Sequence, residues 1–279
     1  MKKSILLVAA IALGTVASAQ ELNVGVNVGY GFGLPGNTLG QSTDADYVTG
    51  PQTITNFDGS IGSGFNAGLN LGYMFNENVG VDLGLDYLMG ANVLMSETRT
   101  VIPTQTVTTS QYAQTSQFRI SPSVVISSGG DGLQVYGRAG LVMPVFGNTI
   151  ATAENDQAGA ELDYAEERKG AFALGYQGAL GVSFPMGDKI SLYGELNGVN
   201  LRIKSKSSKV TRNNSGSTDN LPFMTESQIN TNFVSELNSS SNSYETNSAG
   251  YNTNAADEQL TSTTDFSALF IKVGVKFRF

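Results

Sequence analysis

The chain has 279 residues, 33 of them glycine, no cysteine and no histidine, and its sparse charged residues (14%) leave a formal charge of -8. An acidic balance argues against a nucleic-acid partner. The missing cysteine excludes disulfide bracing, and the missing histidine removes the most frequent general base.

Residues 1–19 read as a cleavable secretory signal peptide. Lys2 and Lys3 form its basic start, Ile5 to Leu13 its short apolar run, and Ala17-Ser18-Ala19 its small-residue cleavage site. The run is too short to span a bilayer as a helix, and no cysteine follows the cleavage site, so the leader is not of lipoprotein type. Losing Lys2 and Lys3 takes the charge from -8 to -10 and leaves one domain at 20–279. Nothing in that domain resembles a membrane-spanning helix, so a closed barrel is the remaining way to cross a bilayer.

Eight segments then alternate apolar and polar residues, the period of a strand with two unlike faces. In chain order they are 21–34, 64–75, 79–90, 116–127, 133–146, 171–184, 189–203 and 265–279. The first carries Leu22, Val24, Val26, Val28, Tyr30, Phe32 and Leu34 on one face and five glycines and asparagines between Asn23 and Gly31 on the other. The seventh changes parity near Gly198, which reads as a bulge. The last ends Ile271-Lys272-Val273-Gly274-Val275-Lys276-Phe277-Arg278-Phe279, a strict alternation. Each segment is long enough for a tilted strand to cross a membrane.

The connections alternate as well. Asn76-Glu77-Asn78, 129–132 and 185–188 are tight turns, whereas 35–62, 91–115, 147–170 and 204–264 are long. Short turns on one side and long loops on the other are the asymmetry of an outer-membrane barrel, with both termini on the periplasmic side. Aromatic residues fall into two belts: Tyr73, Phe75, Phe184, Phe277 and Phe279 near the turns, and Tyr30, Phe32, Phe65, Tyr87, Phe118, Phe146 and Phe172 near the loops. A soluble β-sandwich does not account for the loop asymmetry. A secreted soluble barrel for an apolar ligand fails if the apolar face points outward.

These features resemble the small outer-membrane β-barrel family, the eight-stranded group that includes the membrane domain of outer membrane protein A and its single-domain relatives. The resemblance rests on the leader, the Gly-rich alternating strands such as Val24–Phe32 and Gly68–Tyr73, and the closing strand. It implies an all-β, antiparallel up-and-down transmembrane barrel in the bacterial outer membrane. It also implies that Val273, Val275, Phe277 and Phe279 are the signal read by the barrel-assembly machinery. No periplasmic domain is expected after the barrel, so a peptidoglycan-anchoring role is not implied. The enzymes built on small barrels resemble one another in using a catalytic histidine, which this chain lacks; no carboxylate pair stands out instead, and Glu154, Asp156, Glu166 and Glu167 read as solvated loop charge. No residues are marked for a cofactor or a metal, and the expected role is non-enzymatic, structural or surface-exposed.

Strand parity points Asp82, Asp86, Arg119, Arg138, Glu195, Lys272, Lys276 and Arg278 into the lumen, where charges must pair. An eight-stranded barrel is just wide enough to be filled by such side chains. The alternative is a small passive porin-like channel in which these residues form a gate; a neutral, Gly-lined path through Gly68, Gly72, Gly84 and Gly140 would favour conduction, whereas paired Arg and Asp would block it. Where the seventh segment leaves the membrane, Arg202, Lys204, Lys206, Lys209 and Arg212 form a basic cluster suited to lipopolysaccharide phosphates. The segment 204–264 is rich in Ser, Thr and Asn and is expected to stay mobile. Residues 96–117 are expected to extend two strands as a hairpin above the membrane, whose edge is open to an unknown surface ligand.

Overall fold

The computed structural model describes residues 21–36, 38–130, 132–157 and 161–279; the leader expected at 1–19 lies outside them. Its framework is a ring of strands: β1 (Glu21–Gly33), β2 (Gly64–Met74), β3 (Val79–Gly90), β4 (Gln105–Ser127), β5 (Gln134–Asn155), β6 (Gly175–Pro185), β7 (Ile190–Asn200) and β8 (Ala268–Arg278). Each pairs antiparallel with its neighbours in this order. The register Asn23↔Arg278 to Gly33↔Ala268 then closes β8 onto β1. A ring closed on itself has no edge strand, which is the condition for strands to lie in lipid.

The sequence places the turns. At the first, the Asn76 side chain accepts the backbone N–H groups of Asn78 and Val79, at 2.9 and 2.8 Å. At the other two, Gly129, Gly130 and Gly187 take φ of +68°, +88° and +81°, a region that residues with a Cβ avoid.

Alternation decides what faces what. Outward positions are exposed apolar residues throughout, including Val26, Leu69, Val124, Val135, Leu192 and Leu180, the last 71% exposed. Inward positions are buried and polar: Asn23, Asn27, Asn70, Asp86, Arg119, Ser121, Gln177, Glu195 and Lys272. This is the inverse of a soluble barrel, and it removes the readings in which water surrounds the ring. The aromatic belts form real ring contacts, such as Phe118 stacked on Phe146 at 4.9 Å and Tyr73 edge-on to Phe75 at 5.4 Å.

The interior fits by a rule of opposites. Across the ladders, Gly31 faces Phe270, Gly274 faces Tyr193, Gly181 faces Tyr136, Gly68 faces Asp86 and Gly72 faces Asn23. A Cβ at any of these glycines would collide with the side chain opposite. Glycine here makes room for the large inward groups that fill the lumen. Along Gly68, Gly72, Gly84 and Gly140, the side chains of Asp86, Asn23 and Ser123 occupy the space that a Gly-lined path would need.

The bulge expected near Gly198 is also absent. The ladders of β7 run without a shift from Ser191 to Asn200 on one side and from Ile190 to Val199 on the other. Strand parity holds, so Val199 stays inward, and Leu201 and Ile203 follow it into the interior. What changes at this level is the interior, which passes from polar to apolar. Ile61, Leu88, Val142, Val199, Leu201, Ile203, Phe266 and Phe270 pack there as one cluster that plugs the outer end of the barrel.

Outside the ring the long connections are built, not loose. Thr38–Asp46 and Gln52–Asp58 form one hairpin. Val93–Ile102 pairs with β4 as the expected hairpin and runs parallel to the Thr38–Asp46 strand on its other edge. β5 continues into a hairpin with Leu162–Gly170, which in turn pairs with Arg202–Ser215. Segment 204–264, expected to stay loose, carries this strand and several shorter ones, and its polar residues bond to backbone instead of burying apolar surface. Asn242 illustrates this: its amide nitrogen donates to the carbonyls of Asn252, Ala255 and Ala256, and its amide oxygen accepts the Asn252 N–H.

Candidate functional site: the lumen and its outer vestibule

The lumen is ordered in layers along the barrel axis. At the mouth on the side of the short turns, Arg278 Nη2 donates to Ser191 Oγ at 2.7 Å, and its Nε lies 3.5 Å from Glu21. Above it, Lys276 lies over the rings of Tyr136 and Tyr193, 5.3 and 5.7 Å from their centroids, a cation–π arrangement. A cavity of about 350 Å³ reaches in from the mouth as far as Tyr136 and Lys276.

The centre is spanned by Arg138. One terminal nitrogen donates to Asp82 at 2.8 Å and the other to Glu195 at 2.6 Å. Its side chain is 6% exposed. Both carboxylates have further donors: Asn70 to Asp82 at 2.7 Å, and the Tyr136 hydroxyl to Glu195 at 3.1 Å. One layer up, Lys272 Nζ lies 2.9 Å from Asp86. Arg119 donates from Nε to Gln117 at 3.0 Å, while its Nη2 is buried without a bond. Beyond this layer the apolar plug begins at Phe270 and Leu88.

Parity put each of these side chains inside, but neighbouring strands are not where they pair. Arg138 on β5 reaches β3 and β7, and Lys272 on β8 reaches β3, so the bridges cross the lumen. Arg119 stands directly opposite Asp86 in the ladder, yet no ion pair joins them because Asp86 turns to Lys272. The plug escaped sequence reasoning. Its signal was the inward parity of Val199, Leu201 and Ile203, which a bulge seemed to explain.

The basic cluster lies on the exposed side of Arg202–Ser215. Two register shifts, between Ser205 and Ser207 and between Val210 and Arg212, change the parity twice. As a result Arg202, Lys204, Lys206, Lys209 and Arg212 are all exposed. Arg202 lies 3.6 Å from Asp265 and Arg212 lies 2.7 Å from Asp163. Val273, Val275 and Phe277 sit on the outward face of β8, opposite Val28, Val26 and Val24, and Phe279 donates its N–H to the Leu22 carbonyl.

Above the plug the extended hairpins enclose a vestibule of about 250 Å³. Its floor is apolar, with Ile61, Ala113, Ile203 and Phe266, and its wall carries Tyr164, Glu166 and Arg168. Glu166 does not behave as solvated loop charge. It is 9% exposed and accepts from Arg168 at 3.0 Å. Burial pushes the Tyr164 hydroxyl up, Glu166 adds to that, and Arg168 opposes it.

A family model described as outer membrane protein beta-barrel domain matches residues 4–235. Among solved structures, the chain is similar to Neisserial surface protein A at 10% identity and a TM-score of 0.37, covering 92% of this chain and 97% of that one. It is also similar to outer membrane protein OprG from Pseudomonas aeruginosa at 11% identity and a TM-score of 0.46, covering 95% and 98%. No curated protein matches the chain.

Proposed function

The chain belongs to the outer membrane protein beta-barrel domain family, and from that premise we propose a non-enzymatic protein of the bacterial outer membrane whose eight ring strands cross the bilayer around a lumen that does not conduct. The observation that carries this reading is the double closure of the interior. The Arg138 bridge spans the centre from Asp82 to Glu195, and an apolar plug seals the outer end. The porin-like alternative requires both to yield at once. A single thiol tests the reading, since the chain has no cysteine. Ser121 faces the lumen and is 1% exposed. In the packed barrel, Ser121→Cys stays unlabelled by a water-soluble thiol reagent until the protein is unfolded. Rapid labelling of the folded barrel contradicts the closed lumen.

The outer segments then carry the recognition. Lys204, Lys206 and Lys209 are exposed and make no ion pair among the described residues, which suits phosphate groups of lipopolysaccharide. Replacing Lys206 and Lys209 by alanine is expected to reduce co-purifying lipopolysaccharide; unchanged retention counts against the contact. Among the described residues Gln52–Asp58 pairs on one edge alone, with Thr38–Asp46, and offers the other to a partner strand from a surface ligand. This free edge replaces that of the Val93–Ile102 hairpin, which Thr38–Asp46 covers. Val273, Val275, Phe277 and Phe279 serve in assembly, as the strand that the barrel-assembly machinery reads.

A further inference from the structure

The wall of the barrel is incomplete at one place. On the side of β5 that faces β6, the ladder ends at Val142↔Gly175, and pairing resumes only at Thr149↔Arg168. Between these points, residues 143–148 of β5 have no strand opposite among the described residues. The chain that should supply one turns away: Gly170 pairs with Ser205, and the Ala171 N–H donates to the Lys204 carbonyl. Residues 171–174 then return to β6 without strand structure. Pro144, which has no N–H, and Gly147, with φ of +147°, stand on the opposite rim.

A cavity of about 370 Å³ fills this gap, and its lining comes from both faces of the wall. Val145, Phe146 and Phe172 are exposed on the lipid side, Phe172 at 81%. Gln117, Ile203 and Phe266 belong to the interior. The vestibule shares Thr149, Arg168, Gly170, Ile203 and Phe266 with it. Arg168 stands at the junction, half-exposed, with one terminal nitrogen on Glu166 and its other donors available to a guest. Lys169 and Lys204 line the vestibule beside it. An apolar slot open to lipid thus meets a cationic vestibule open to water.

We propose that this gap is a binding site for a single-chain amphiphile with an acidic head, the tail lying in the slot among Val145, Phe146 and Phe172 and the carboxylate meeting Arg168. The charge selects the head, because a guanidinium binds a carboxylate through two parallel hydrogen bonds. The slot selects one chain, since volumes of this order are those of small-ligand sites. The site bypasses the lumen, so it does not depend on whether the barrel conducts.

The chain contains no tryptophan, so one introduced indole reports alone. Phe172→Trp places it at the slot, and Leu180→Trp, lipid-facing on β6 below the gap, is the control. Both variants, purified from outer membranes and checked by heat-dependent gel mobility, go into vesicles of unbrominated phospholipid, and dibromostearate is added. The expected result is saturable quenching of Phe172→Trp at bilayer fractions that leave Leu180→Trp unchanged. Arg168→Gln in the Phe172→Trp background should raise the half-saturating concentration roughly tenfold, the loss of one charge-assisted bond pair. Quenching of both indoles in parallel means bulk partition and overturns the site. Equal preferential quenching by a brominated phospholipid assigns the slot to the lipid bilayer and overturns it too. An unchanged response in Arg168→Gln removes the head-group assignment. If Phe172→Trp does not fold, Leu174→Trp, exposed on the same return segment, takes its place.

Discussion

Replacing Arg138 by methionine removes two bonds of 2.8 and 2.6 Å and keeps most of the side-chain volume. What remains decides the magnitude. Asp82 retains the Asn70 amide, and Glu195 retains the Tyr136 hydroxyl and the Asn197 amide at 3.4 Å, but both carboxylates lose the cation they pair with. Breaking a buried pair from one side costs about 3–5 kcal/mol, because the surviving charge is left without compensation. Arg138→Met should fall at the upper end, having orphaned two. Lys272→Met, which orphans Asp86 alone, should fall at the lower end. The triple variant Asp82→Asn, Arg138→Met, Glu195→Gln carries no charge at this level and should recover most of the loss, since the desolvation cost disappears with the pair. Urea titration in lipid vesicles, read by circular dichroism and heat-dependent gel mobility, gives each value from midpoint and slope. An Arg138→Met barrel within about 1 kcal/mol of its parent, or a triple variant no better than the single one, refutes the reasoning.

The opposed glycines make a second prediction. Gly31→Val drives a branched side chain into the Phe270 ring and should cost about 1–3 kcal/mol by overpacking. Phe270→Leu should restore part of this, whereas additive losses in the same titration would show that the two positions do not share space. Outside the membrane, Asp46 accepts the backbone N–H groups of Val48 and Thr49 and the Thr49 hydroxyl. These bonds, the Thr49 hydroxyl first, hold its carboxylate below the ordinary 3.8. A depressed carboxylate contributes fully above its unfolded value and loses that contribution as pH falls through the folded one. Hydrogen exchange of 46–50, corrected for intrinsic rate, should therefore stay flat from neutral pH to about 4 and rise below it, and Asp46→Ala should abolish that step.

The strands and their facing were legible because a period of two, read over many residues, allows one answer. Leu22 to Phe32 and Val273 to Phe279 lie outward as their alternation requires, and Asp82 to Lys272 lie inward. The pairing partners were not legible. Parity says that Arg138 is inside, but only the closed ring brings β5 across from β3 and β7. The plug was misread because apolar residues at an inward position mimic a parity slip: Val199, Leu201 and Ile203 look like a bulge until the interior itself turns apolar. Segment 204–264 was misjudged for a related reason. A stretch poor in apolar residues has no core to build, yet Asn242 shows how side-chain amides brace backbone instead. The gap beside β5 leaves only Pro144 and Gly147 as marks in the sequence, and neither indicates that the facing chain departs.

The most direct test of the closed interior is single-channel conductance in a planar bilayer, with barrels extracted from outer membranes and shown to be folded by their gel shift. The parent should be silent, and so should Leu201→Ser with Phe270→Ser, because the Arg138 bridge still spans the lumen. Adding the three charge-removing substitutions to that pair should produce openings. Steady, reproducible openings of the parent barrel would contradict the account.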